Sequence, residues 1–151
     1  QDVHISFIRG NYNWPGQKHL LFEEKLCIAS RNKINLEELP NLPRIDYRTD
    51  SLYKQLIESW WTEHYSDAPT IAMVVDQGDT CKEMVMNGLG YAIIPSLFLE
   101  NIEDIHKIYL TDKNEKQITQ KTWMIYHEES LKLNIVQAFV NLVEKLDIYE
   151  L

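Results

Sequence analysis

The chain has 151 residues, 44% apolar, 25% charged and 11% aromatic, which fits one domain or two small lobes and excludes disorder. No apolar run approaches ~18 residues, so no membrane-spanning helix is expected. With 15 Lys and Arg against 23 Asp and Glu the net charge is −8, which argues against gripping the phosphates of nucleic acid but leaves room for a small anion in a local pocket.

In chain order, Val3 to Ile8 alternates apolar and polar residues and predicts a half-buried strand ending at Arg9-Gly10. Asn11 to Gly16 is turn chemistry, and Leu20 to Ser30 reads as one long or broken strand with an exposed step at Glu23-Glu24. A helical turn at Asn35 to Leu39 is ended by Pro40 and Pro43, before a short strand over Pro43 to Tyr47. The stripe of Leu52, Tyr53, Leu56, Ile57 and Trp60 predicts a helix from about Leu52 to His64, capped by Asp50 or Ser51. On this stripe Trp60 faces the core, and Trp61 is expected to be partly exposed.

Thr70 to Val75 is rich in β-formers, Asp76 to Thr80 reads as loop and cap with Asp79 as the capping residue, and Cys81 to Asn87 as a short helix. Gly88 and Gly90 serve the backbone there, one through a positive φ and one through close approach. Tyr91 to Ile94 predicts a buried strand closed by Pro95, with a short helix from Ser96. Ile108 to Leu110 reads as an edge strand, Lys113 to Gln120 as a loop and Lys121 to His127 as a strand. The final helix spans Leu131 to Leu146, with Leu131, Ile135, Val136, Phe139, Val140, Val143 and Leu146 as its apolar stripe.

Strand, helix, strand, helix, strand is the order of a right-handed parallel α/β unit, in which ligands bind outside the carboxyl ends of the strands. Three loops leave strands this way: Arg9-Gly10-Asn11, Arg48-Thr49-Asp50 and Asp76-Gln77-Gly78. The last two run into helix starts, whose free N–H groups and dipole suit an anion. The two cysteines lie far apart and outside any CxxC pair, which points to buried free thiols of a reducing compartment. No His pairs with another His or Cys at metal-ligand spacing, so no metal and no cofactor are expected. No serine sits in a nucleophile elbow and no cysteine in a catalytic string, so the chain is not expected to be an enzyme.

The string Met84 to Pro95, with its core NGLGYAIIP, resembles the regulatory domain of LysR-type transcriptional regulators. Asp2 to Gly10, Leu21 to Ala29, Leu36 to Leu42 and Val74-Val75-Asp76 follow the same family in order and spacing, so the resemblance covers essentially the whole chain. It implies an α/β, two-lobed fold similar to type 2 periplasmic binding proteins, with a small-molecule effector in the interlobe cleft. By analogy, 1–24 and 129–151 belong to lobe I and 25–128 to lobe II, with hinges near Glu23-Glu24 and His127-Glu128. The family's helix-turn-helix, linker helix and opening part of lobe I have no counterpart here. With Gln1 in place of Met at the start, that predicts a fragment.

The resemblance also implies a homodimer or tetramer, DNA binding through a domain absent from this chain, cytoplasmic location and no membrane partner. Arg9 ends the opening strand, where relatives often carry a polar residue facing the cleft. An arginine there can hold a carboxylate through two parallel hydrogen bonds, as for a small acid such as citrate, or it can simply pair with a surface acid. The effector-binding candidates are Arg9, Gly10, Arg48, Thr49, Asp76 and Gln77. Arg48 competes with a reading as a solvated loop residue, and Thr49, Asp76 and Gln77 with readings as helix caps. Two other functions fit the same scaffold: an extracytoplasmic solute-binding protein, which requires an export signal upstream, and an enzyme, which requires a convergent acid–base or nucleophile set.

Overall fold

The computed structural model describes residues 5–9, 16–126 and 134–145, with the side chains of Arg9, Asn134 and Ile135 outside the description. The chain divides into two compact units, Gln1–Glu23 with Gln120–Leu151, and Glu24–Thr119. Among the described residues no helix is long and apolar enough to cross a membrane.

The first unit holds β1 (Ile5–Arg9), the opening half of β2 (Gln17–Ser30), β7 (Thr119–Tyr126) and α3 (Asn134–Lys145). Strand β7 lies between β1 and β2, and its antiparallel register with β1 runs from Ile5 opposite Tyr126 to Arg9 opposite Thr122. The analogy carries lobe II to 128; here 122–126 pair with β1, and the chain from Gln120 groups with the first unit. Met124 and Tyr126, two residues apart on one face of β7, pack with Val136, Val140 and Val143 of α3. Phe139, expected in that stripe, is 41% exposed. At about 100° per residue it falls about 65° from the centre of the Val136, Val140 and Val143 stripe, at its edge rather than its middle. The expected Leu131, Ile135 and Leu146 contacts lie outside the described side chains.

The second unit is built around strands whose two faces are both buried. The rest of β2 pairs antiparallel with β5 (Ala92–Pro95) on one side and with β6 (His106–Tyr109) on the other. Strand β3 (Pro43–Tyr47) is parallel to β4 (Thr70–Val75) and joins Tyr91, just before β5, through Ile45 N–H to Tyr91 O at 2.8 Å and Tyr91 N–H to Pro43 O at 3.0 Å. The parallel β3–α1–β4 unit is the one the element order predicts, with α1 spanning Ser51–His64.

Side-chain alternation sorts the core into two layers. Leu26, Ile28, Tyr91 and Ile93 pack with Tyr53, Trp60 and Trp61 of α1. Cys27, Ala29, Ala92 and Ile94 pack with Ile45, with Cys81 and Val85 of α2 (Gly78–Met86) and with Leu99 of the 3-10 turn Ser96–Leu99. Trp61 is buried, at 6% exposure, in contrast to the sequence expectation. Its neighbour Trp60 marks the core stripe, but the indole of Trp61 is long enough to reach Arg44 and its N–H donates to Asp67 O at 2.8 Å.

Gly88 has φ +77°, and a Cβ on Gly90 would sit 2.6 Å from Pro43 O, so the two glycines divide their roles as expected. Helix α2 starts at Gly78, three residues before the predicted start, and Gln77 is its N-cap residue; Asp79 lies in the first turn. Strand β7 also begins inside the predicted loop, at Thr119. Strand β4 stays on the edge, with Ile71, Met73 and Val74 exposed.

Cys27 and Cys81 are buried and free. Burial pushes the Cys27 thiol from 9.0 up to about 11, partly offset by Lys107, and Cys81 from 9.0 up to about 12, with Asp46 adding to the shift. Unfolded thiols ionise near the ordinary value, so above it the folded chain holds more protons than the unfolded one. Stability is therefore fully present below that value and falls as pH rises through the folded pKa values. The urea midpoint is expected to hold from neutral pH to about pH 8 and to drop by about pH 10, with a smaller drop in a Cys27→Ala, Cys81→Ala variant. An equal drop in both proteins would contradict this assignment.

Candidate functional site

In the second unit the parallel strands β3 and β4 end side by side, tied by Arg48 N–H to Val75 O at 3.1 Å. Each strand turns directly into a helix. Asp50 caps α1, its Oδ1 accepting from Tyr53 N–H at 2.8 Å, while the N-cap of α2, Gln77, makes no side-chain capping bond. Two helix N-termini therefore open at the same strand ends, where backbone N–H groups and helix dipoles favour negative charge.

Four sequence candidates meet there. Arg48, Thr49, Asp76 and Gln77 are all exposed, and Arg48 Nε lies 3.0 Å from Asp76 Oδ1 with both side chains about four-fifths exposed. Such a pair contributes little to stability. Its chemical content is that Arg48, on the strand-end loop, already holds a carboxylate. Arg9 closes β1 opposite Thr122 in the other unit, but its side chain and Gly10 lie outside the described residues.

Behind the strand ends sits an aromatic wall that sequence reasoning missed. The hydroxyl of Tyr47 donates to that of Tyr53 at 3.4 Å, and the Tyr53 hydroxyl donates to Ile93 O at 3.4 Å. Burial is the largest cause pushing the Tyr53 phenol upward, so it stays a neutral donor. The ring of Phe98 meets Tyr47 edge-on at 6.1 Å and closes over Gly78, where a Cβ would sit 2.6 Å from Phe98 Cε2. The tight Gly78 start of α2 leaves space for that ring. The only advance signal was a glycine directly after the Asp76-Gln77 loop, which by itself reads as turn chemistry. The Glu23-Glu24 step in β2 holds no paired acids facing one way: Glu23 is exposed and Glu24 half-buried.

The LysR substrate binding domain family matches residues 1–147. The chain is 39% identical over 142 residues to the uncharacterized HTH-type transcriptional regulator YraN of Bacillus subtilis, covering 94% of this chain and 49% of that protein. It is 36% identical over 146 residues to the uncharacterized HTH-type transcriptional regulator YkuM of the same organism, covering 95% and 50%. The chain thus spans about half the length of these curated relatives. In fold it is similar to the regulatory domain of HypT from Salmonella typhimurium, with a TM-score of 0.73 at 20% identity over 95% of this chain and 72% of that one.

Proposed function

The chain belongs to the LysR substrate-binding domain family, and from that premise we propose that it senses a small carboxylate metabolite for a LysR-type transcriptional regulator. Its two-lobed fold is the type 2 periplasmic-binding-protein-like fold of LysR regulatory domains. The observation that carries the ligand class is the Arg48–Asp76 pair at the carboxyl ends of two parallel strands, flanked by the N-termini of α1 and α2. Asp76 stands where an effector carboxylate would compete for the guanidinium, with Thr49 and Gln77 beside it for further hydrogen bonds. Arg9, with Gly10 beside it in the chain, is assigned as a second anchor on the resemblance alone.

Effector binding would act through differential affinity: the acid prefers one arrangement of the regulator and shifts that population, which changes DNA binding by a helix-turn-helix domain outside this sequence. The helix-turn-helix type of YraN and YkuM, matched over half their length, supports that reading. Self-association as a homodimer or tetramer belongs to the same proposal, and we assign it to the exposed apolar edge of β4. The regulator would work in the cytoplasm, and the reading includes no catalysis.

Calorimetric titration of the 151-residue chain with a panel of small carboxylic acids, citrate among them, tests this. At least one acid is expected to bind. Arg48→Gln and Arg9→Ala should each weaken it roughly tenfold or more, as for loss of a charge-assisted hydrogen bond. Equal affinities in wild type and both variants would remove the assigned anchors.

A further inference from the structure

A second concave surface in unit 2 lies at the far end of α1, about 20 Å along the helix from its Asp50 cap. It is a cavity of about 230 Å³ between that helix end, the 3-10 turn at Leu36–Asn41 and strand β6. Trp60 forms its floor at 3% exposure, and its indole N–H donates to Thr111 O at 3.1 Å. His64, one turn later, stacks on Trp60 at 4.7 Å between ring centroids. Tyr65 meets Trp60 edge-on at 5.9 Å, and its hydroxyl donates to Leu36 O.

The hydrogen bonds determine what the cavity has left to offer. The N–H of Trp60 and the O–H of Tyr65 are committed to carbonyls. His64 Nδ1 lies 2.8 Å from Trp60 O, and a carbonyl only accepts, so Nδ1 carries a hydrogen and is committed as well. Tyr109 forms an outer wall at 41% exposure, and Lys25 Nζ lies 6.0 Å from its ring centroid, so this ring already draws one cation. Glu37 is the charged residue at the rim. The lining thus combines four aromatic rings with one carboxylate, on a chain of net charge −8.

We propose that this cavity binds a small alkylated ammonium ion. Aromatic faces attract a cation through their quadrupoles, and most strongly where the cation is already weakly hydrated. Alkyl groups match the apolar walls supplied by Leu36 and Ile108, while Glu37 supplies the countercharge. An anion would meet π faces and a carboxylate and is disfavoured. This site is separate from the strand-end site, and its fate does not depend on the carboxylate proposal.

Choline and its uncharged isostere 3,3-dimethyl-1-butanol are the probes, titrated into the ¹⁵N-labelled chain while the Trp60 indole N–H resonance is followed. Choline is expected to shift that resonance with a Kd on the order of 1 mM, and the isostere to bind roughly fivefold more weakly or worse. Tyr109→Leu and Glu37→Gln change exposed groups and should leave the unfolding midpoint in place. Each is expected to weaken choline binding several-fold. Three results overturn the proposal: a Trp60 resonance unmoved up to about 50 mM choline, equal binding of the uncharged isostere, or choline affinity unchanged in both variants.

Discussion

Trp60→Ala is expected to destabilise the second unit by about 3–5 kcal/mol, among the larger effects a single truncation produces. The indole is 3% exposed and packs in the layer between α1 and the sheet. Its removal leaves a cavity that the rigid strands on the other side cannot close. It also strips Thr111 O of its 3.1 Å partner and leaves Tyr65 and His64 without the ring they pack against. Trp60→Phe keeps most of the packing and loses the hydrogen bond, so about 1–2 kcal/mol is expected for it. Urea unfolding followed by far-ultraviolet circular dichroism measures both. A Trp60→Ala midpoint close to wild type would mean that the layer repacks and that the ring does not organise it.

The second large effect concerns charge. Arg44 is 7% exposed, yet it lies on β3 beneath α1. Its Nε and Nη2 donate to Asp46 Oδ1 and Oδ2 at 2.9 and 3.1 Å, and its guanidinium lies 5.5 Å from the Trp61 ring centroid. Arg44 Nη1 and the Tyr91 hydroxyl are buried with no hydrogen bond of ordinary geometry. Burial is the first cause pushing the Tyr91 phenol upward, and the Arg44 guanidinium beside it partly offsets this. The bidentate carboxylate thus carries most of the compensation for a buried positive charge.

Asp46→Ala is expected to cost about 2–3 kcal/mol, below the ~3–5 of a fully buried pair because water reaches the carboxylate. Adding Arg44→Met should recover much of that loss, since replacing both partners by apolar groups is often close to neutral. The paired urea midpoints form a double-mutant cycle. If Asp46→Ala changes stability by less than about 0.5 kcal/mol, Arg44 is hydrated and the pair is not what holds it.

Patterns local in the chain were legible from residues alone. The parallel β3–α1–β4 unit followed from alternation, a helical stripe and the Asp50 cap, each a property of a few consecutive residues. The NGLGYAIIP string announced a positive-φ glycine, a glycine packed against backbone and a strand buried on both faces. Four of the six candidate site residues do gather at the strand ends of unit 2. Their convergence was legible because parallel α/β connections always bring successive strand ends to one side.

Other features needed the fold. Helix α2 begins at Gly78, although a glycine followed by Asp and Thr looks like loop, and that glycine is required because the Phe98 ring occupies the space a side chain would need. Trp61 is off the stripe of its own helix, yet Arg44 and the loop carbonyl of Asp67 bury it. Strand β4 is apolar in sequence and would pass for core, but it lies at a sheet edge with Ile71, Met73 and Val74 exposed.

The sequence by itself determined the α/β class and the order of elements, because periodicity, caps and glycine placement act over a few residues and survive without tertiary contacts, while the family was legible as a resemblance of ordered strings along the chain. The tertiary structure decided how deeply polar groups lie and what surrounds them: Arg44 buried with Asp46, Arg48 and Asp76 meeting in solvent from two strand ends, and Trp60 with His64 and Tyr65 around a cavity. Arg48 and Asp76 come from the ends of different strands, whereas Arg44 and Asp46 share β3 and Trp60 and His64 share α1, so for those it is the depth set by the packing that spacing could not give. That depth is not a function of spacing along the chain.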